Sequence, residues 1–169
     1  MDDEFSARLG SEPDDVYLEN LRRPEFELMA EHFFDPLIAC NRAQVIMLVE
    51  AKILDRETAA SLLDAIGSVA TDGAEAVTDY ERFEDPYFQM EARIADQAGE
   101  RAGGQLHTGR SRNDLYAAVV RMLVRDQLLD AVEAVLSLRE TIQQRAESSL
   151  RVVMPGFTHS QPAQPITLG

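Results

Sequence analysis

Cysteine occurs once in the 169 residues, as Cys40, and tryptophan not at all. A single thiol excludes a disulfide within the chain, and equally a zinc site built mainly on cysteine. Histidine is nearly as scarce. His32, His107 and His159 are scattered, without metal-ligand spacing, so no metal site is expected. Neither a phosphate-cradling glycine loop nor a dinucleotide fingerprint is found. No run of about 18 apolar residues occurs, so no membrane span is expected. Positive charge is in deficit: 16 Lys and Arg face 30 Asp and Glu, a formal net charge of -14. Such a surface repels nucleic acid. It does not exclude a small anionic substrate, because a local arginine cluster can outweigh a distant negative field. Met1-Asp2-Asp3-Glu4 is acidic where a secretory leader would be basic and then apolar, which leads to the expectation of a cytoplasmic protein.

What is present is enough for a core: 45% of the residues are hydrophobic and 27% charged. Residues 1–23 have no clear period and read as an extended arm or a short helix. Pro24 can open a helix, since it lacks an N–H that the first turn leaves unpaired anyway. From Glu25 to about Leu54, Phe26, Met29, Phe33, Leu37, Cys40, Val45, Leu48 and Val49 recur at spacings near three and four, which predicts one helix, or two split at Pro36. Asp55 is placed to cap a helix that buries Ala59, Leu62, Leu63 and Ile66 and stops at Asp72-Gly73. After an acidic loop over 71–84, Asp85-Pro86 starts another helix with Phe88, Ala92, Ile94 and Ala95 inward, ending at Gly99. Arg112 to Leu150 contains no Gly or Pro and carries the stripe Val119, Met122, Leu123, Leu129, Val132, Leu136 and Ile142. A helix of that length, roughly 50 Å, is more than a small globule can cover, and suggests a long bundle shared between subunits. Val152-Val153-Met154 can be extended, and the prolines at 155, 162 and 165 then predict a loop. The apolar segment that begins at Ile166 suggests an incomplete unit.

Two segments concentrate polar chemistry. His107-Thr108-Gly109-Arg110-Ser111-Arg112-Asn113-Asp114 follows the Gly103-Gly104 turn and heads the long helix. A glycine permits close backbone approach, and a helix N-terminus offers free N–H groups and partial positive charge. Arg110 and Arg112 can grip carboxylates, with Ser111 and Asn113 adding neutral hydrogen bonds. The plainer reading makes Ser111 a cap and the arginines surface ion-pair partners. The second segment is Pro155-Gly156-Phe157-Thr158-His159-Ser160-Gln161-Pro162-Ala163-Gln164-Pro165. Its prolines would hold Thr158, His159 and Gln161 in fixed directions, and a histidine is the natural proton carrier near neutrality. The plainer reading is a stiff turn with a hydrogen-bonded histidine. Tyr87, Gln89 and Glu91 form a third, weaker group on a helix that reads mainly as core, and Cys40 reads as a small buried residue.

The first segment resembles the leading signature of argininosuccinate lyases. Met154 through Pro165 resembles the second block of the same family, and Glu84-Asp85 to Glu91 resembles the helix that precedes the first signature. The resemblance implies an all-α fold of the fumarase/aspartase superfamily. Residues 1–110 would form the N-terminal helical domain, and 111–169 the start of the central long-helix bundle, truncated at its C-terminus. It implies a homotetramer with each active site shared between subunits, no cofactor, and a small-molecule substrate. The reaction implied is β-elimination of argininosuccinate to arginine and fumarate, with another N-substituted aspartate as the alternative substrate. By the same resemblance Ser111, Arg112 and Asn113 bind the substrate, Thr158 holds a carboxylate, and Gln161 shapes the pocket. His159 is the catalytic histidine, protonating the departing nitrogen or sustaining the acid that does so. The family's base, a serine on a mobile Gly-Ser-Ser loop, has no counterpart in residues 1–169, so the isolated chain is expected to be inactive.

Departures from the family pattern bear on specificity. The usual opening Trp-Gly-Gly-Arg-Phe is replaced by a stretch without tryptophan, and Leu115 stands where glutamine is usual after Asp114. Ser160-Gln161-Pro162 replaces Leu-Gln-Arg. Tyr87 and Gln89 stand where His and Asn are usual, and are where an altered leaving group is expected. Rival readings are a non-catalytic structural fragment of the same fold, a fragment that pairs with a separate C-terminal chain, and a plain four-helix binding module.

Overall fold

A computed structural model describes residues 13–169; the first half of the expected N-terminal arm lies outside the described residues. The chain divides into two compact units, the first ending at Met122 and the second running from Leu123 to Gly169.

The first unit is helical. A short helix α1 (Asp15–Tyr17), capped by the Asp14 carboxylate on the Val16 N–H, leads through one π-helical turn, Leu18–Arg22, into α2 (Arg23–Glu50). Pro24 stands in the first turn of α2. Pro36 lies inside the helix without dividing it. The buried row of α2 is Phe26, Ala30, Phe34, Leu37, Asn41, Val45 and Leu48, whose spacings are all three or four. It shares Phe26, Leu37, Val45 and Leu48 with the predicted stripe, while Phe34 takes the inward place expected of Phe33 and Cys40 is only half-buried.

Asp55 caps α3 (Arg56–Asp72) as expected, accepting from the Thr58 N–H at 2.8 Å, and Gly73 closes it with φ of 81°. A single 3-10 turn, Ala74–Ala76, follows. Asp85 caps α4 (Pro86–Ala98), accepting from the Phe88 N–H at 3.1 Å. The inward row of α4 is Tyr87, Met90 and Ile94, all with no exposure, rather than Phe88, Ala92 and Ala95, which are half-buried. Ile94 faces inward as predicted, while Tyr87 takes the place expected of Phe88 and Met90 joins the row. Packing on α3 selects this face and turns Tyr87, not Phe88, toward the core. Helix α3 packs on both α2 and α4. Leu62, Ile66 and Val69 of α3 are fully buried between them, and burying each such side chain favours folding by about 1.5–3 kcal/mol.

A short helix α5 (Glu100–Gly103) packs on α4 so closely that a side-chain carbon at Gly103 would overlap Ala95. Turns over 103–110 then lead into α6 (Arg112–Ser148), the 37-residue helix predicted from its lack of breakers. Leu115 and Val119 at its head are buried.

The second unit holds the rest of α6 and an antiparallel hairpin, β1 (Val153–Thr158) and β2 (Gln161–Thr167). The loop predicted over 155–165 is thus corrected to paired strands. Three prolines do not forbid a two-stranded ribbon, in which every strand is an edge and half the N–H groups point outward. The register slips between Pro155 and Phe157, at Gly156, as such prolines and a bulge require. Almost every residue of this unit is exposed, including Leu129, Val132, Leu136 and Ile142 of the predicted stripe. No helix among the described residues is long and apolar enough to cross a membrane.

Candidate active site

The 107–114 segment is built as a folded turn at the head of α6. Gly109 has φ of 72°, a conformation that a side chain would strain, and Gln44 of α2 holds the Thr108 carbonyl at 2.7 Å. Ser111 and Asp114 form a reciprocal cap. The Ser111 hydroxyl accepts from the Asn113 N–H at 3.1 Å, and the Asp114 carboxylate accepts from the Ser111 N–H at 2.9 Å. The capping function weighed from sequence therefore describes the local geometry. It leaves the side chain of Asn113 exposed and without a hydrogen bond among the described residues.

The two arginines of the segment face different partners. Arg112 Nη1 donates to Asp85 at 2.9 Å and Glu84 at 3.3 Å, and its guanidinium lies over the Phe88 ring. Partial burial works against its charge, but the Asp85 and Glu84 carboxylates more than offset this and hold it protonated. Asp85 is buried, and burial pushes its carboxyl above the usual range despite the Phe88 N–H, Tyr116 and Arg112. Beside it lies Tyr116, whose phenol is raised by burial and by the Asp85 charge; its buried hydroxyl makes no well-formed hydrogen bond among the described residues.

Arg110 turns inward. Its Nη2 donates to the Asn41 carbonyl oxygen and, at 3.1 Å, to the Tyr87 hydroxyl, with the guanidinium over the Tyr87 ring. The Tyr87 hydroxyl also lies 2.8 Å from Glu91 Oε1 and 2.7 Å from His107 Nδ1. Burial, then the Glu91 charge, pushes the Tyr87 phenol well above its usual range, so it stays protonated. The result is a part-buried polar cluster of Asn41, Tyr87, Glu91, His107 and Arg110, drawn from α2, α4 and the 107–110 turns.

Of the residues singled out from sequence, Tyr87, Ser111, Arg112 and Asn113 lie in or beside this assembly. Gln89 does not join it. Its carbonyl oxygen accepts from the Asp79 N–H at 3.0 Å and its amide donates to the Ala76 carbonyl, so the buried side chain ties down the acidic loop. Thr158, His159 and Gln161 belong to the second unit, where they form the tip of the β1–β2 hairpin. His159 and Ser160 are its two central residues, with φ of 49° and 61°, the sign that a type I′ hairpin turn demands at both positions. All four tip residues are exposed. Asn41 and Gln44 were not singled out. The available signal was a polar residue interrupting the apolar row of α2, which in a buried row calls for a partner.

Comparison with known proteins places the chain. A family model described as "Lyase" matches residues 28–169. With its long α6 and helical core, the chain belongs to this lyase family, within the fumarase/aspartase superfamily. Among curated relatives it is 36% identical over 161 residues to argininosuccinate lyase 1 of Shouchella clausii, covering 95% of this chain and 32% of that protein. It is 41% identical over 138 residues to the argininosuccinate lyase of Haloarcula marismortui, covering 82% of this chain and 27% of the relative. Among solved structures it is similar to EDDS lyase in complex with formate, with a TM-score of 0.66, and to an EDDS lyase variant with bound fumarate, with a TM-score of 0.65. Both are 36% identical, and each match covers 92% of this chain and 33% of the other. The chain thus spans about a third of the relatives it matches.

Proposed function

We propose that this chain is part of a C–N lyase that cleaves argininosuccinate to arginine and fumarate by β-elimination. The observation that carries the reading is the 107–114 segment. It presents Ser111, Arg112 and Asn113 at the head of a 37-residue helix, in a chain whose curated relatives are argininosuccinate lyases. The chemistry needs fixed cations and N–H donors where negative charge develops on the fumarate side, and a proton for the departing nitrogen. Arg112, already held by Asp85 and Glu84, supplies a cation that cannot swing freely, and Asn113 and Ser111 supply neutral contacts. His159 supplies the proton or supports the group that does, Thr158 holds a carboxylate, and Gln161 lines the pocket. Gln89 acts at a distance, through the loop it anchors, and Tyr87 through Arg110 and His107.

A second substrate class, another N-substituted aspartate, is favoured by the likeness to EDDS lyase at the same 36% identity as the Shouchella relative. Assembly into a tetramer with shared sites is part of the same proposal, and the exposed apolar stripe of α6 supports it. No Gly-Ser-Ser sequence occurs in residues 1–169, so in this reading the base comes from outside the chain.

The test is fumarate release, followed by its ultraviolet absorbance, from argininosuccinate and from a panel of N-substituted aspartates. The whole lyase subunit carrying this chain is expected to release fumarate from one of them, and the 169-residue chain alone from none. No fumarate from any substrate would sink the enzymatic reading. An ordinary turnover by the chain alone would sink the placement of the base.

A further inference from the structure

We propose that Glu91 is a positioning residue that orients two side chains of the 107–113 segment at once: His107 directly, as the Nδ1–H tautomer, and Arg110 through Tyr87. The kinetic part of this proposal rests on the lyase reading above; the tautomer does not.

Three atoms meet in a triangle. The Tyr87 hydroxyl lies 2.8 Å from Glu91 Oε1 and 2.7 Å from His107 Nδ1, and His107 Nδ1 lies 3.0 Å from Glu91 Oε1. A carboxylate can only accept, a phenol carries one proton, and a neutral imidazole carries one proton on one of its two nitrogens. Arg110 donates to the Tyr87 oxygen as its third partner. Suppose the phenol gave its proton to His107 Nδ1. Neither contact with Glu91 would then contain a proton, and two lone-pair contacts would face a part-buried carboxylate, a costly arrangement. With the phenol donating to Glu91, and Nδ1–H shared between Glu91 and the phenol oxygen, all three short contacts contain a proton. The phenol oxygen keeps its other lone pair for Arg110.

One carboxylate thus decides two directions. It fixes the proton on His107 Nδ1, so that Nε2 becomes the accepting nitrogen; Nε2 makes no hydrogen bond among the described residues, and the side chain is 37% exposed. It also turns the Tyr87 hydroxyl so that its oxygen faces Arg110. Tyr87 and Glu91 stand one turn apart on α4, at the i,i+4 spacing that holds two side chains on one face. Tyr87 is fully buried, so the clamp sits on a rigid element while the residues it clamps belong to turns.

The experiment is long-range nitrogen–proton correlation NMR on the 169-residue chain at mildly alkaline pH, with the His107 signals assigned by a His107→Gln variant. Wild type is expected to show a protonated Nδ1 and an unprotonated Nε2. Tyr87→Phe keeps the Glu91 partner and is expected to keep that tautomer. Glu91→Leu removes the acceptor, leaves Nδ1 to accept from the Tyr87 hydroxyl, and is expected to move the proton to Nε2. A wild-type Nε2–H tautomer, or no change in Glu91→Leu, overturns the proposal. In the whole lyase subunit, Tyr87→Phe is expected to raise KM about tenfold with kcat within about twofold, because the Arg110 acceptor and one donor to Glu91 are lost while the contact of His107 Nδ1–H with Glu91 stays. Glu91→Leu should change both constants. Lower thermal stability with unchanged KM and kcat in both variants would show packing alone and overturn the proposal. A wild-type subunit that releases no fumarate would overturn the lyase reading, and leave the tautomer to decide the role of Glu91.

Discussion

The two units use similar side chains to opposite effect. In residues 13–122, leucines, isoleucines and valines meet inside: Leu48, Leu62, Ile66 and Val69 are all buried. In residues 123–169, Leu129, Val132, Leu136 and Ile142 repeat at helical spacing with more than half of their surface exposed or close to it. The difference is not in composition but in geometry. Helices that turn back on one another can pack face to face, whereas a single helix and a two-stranded ribbon offer too little inward-facing surface to cover themselves. Apolar residues that gain nothing inside their own unit are a stripe in search of a partner helix. The proposed catalytic labour divides along the same line. The packed unit holds the anion-gripping residues on a braced turn, and the exposed unit carries His159 on a hairpin tip.

The largest expected effect tests that comparison directly. Leu62→Ala should lower the stability of the chain by about 3 kcal/mol, because it leaves a cavity in a closed core. Leu129→Ala should change it by no more than about 0.5 kcal/mol in the monomer, measured by urea unfolding followed by circular dichroism. Comparable losses in both, with the second dependent on protein concentration, would show the α6 stripe covered by other copies. That outcome would break the contrast for the isolated chain and strengthen the proposed assembly.

A smaller effect sharpens the account of the second unit. Ser160→Gly should stabilise the hairpin by about 1 kcal/mol, since φ of 61° is free for glycine and strained for serine. The readout is amide exchange in β1 and β2, where protection should rise roughly fivefold. Reduced protection would mean that the serine hydroxyl, not the backbone conformation, holds the tip.

The smallest effect is in the pH dependence of the first unit. Burial raises the Asp85 carboxyl above its ordinary value of 3.8, so the unfolded chain releases this proton first as pH rises. Stability of the wild type should therefore fall relative to Asp85→Asn as pH climbs from the ordinary value to the raised one, and level off above it. Asparagine keeps an oxygen for the helix cap, so the comparison isolates the charge. Urea midpoints for both proteins across that range provide the check. A wild type that instead gains on the variant would show that Arg112 outweighs burial.

Sequence alone determined both ends of α3 and α4 and the start of α6. Asp55 and Asp85 as caps, Gly73 and Gly99 as stops, and the unbroken run after Arg112 all act within a few residues, where local hydrogen bonding and backbone sterics decide the conformation. The polar segments at 107–114 and 154–165, and the family they point to, were legible for the same reason: they are contiguous. Tertiary structure alone decided the rest. The inward side of α4 followed from packing on α3, which put Tyr87 inside and left Phe88 half-buried. The proline-rich segment became a hairpin through strand pairing, which single-residue preferences do not register. Tyr87 and Glu91 were visible as neighbours on one helix, but their meeting with His107, Arg110 and Asn41 was not. Those residues come from three elements up to 69 positions apart, and only a closed core brings such groups within reach of one proton.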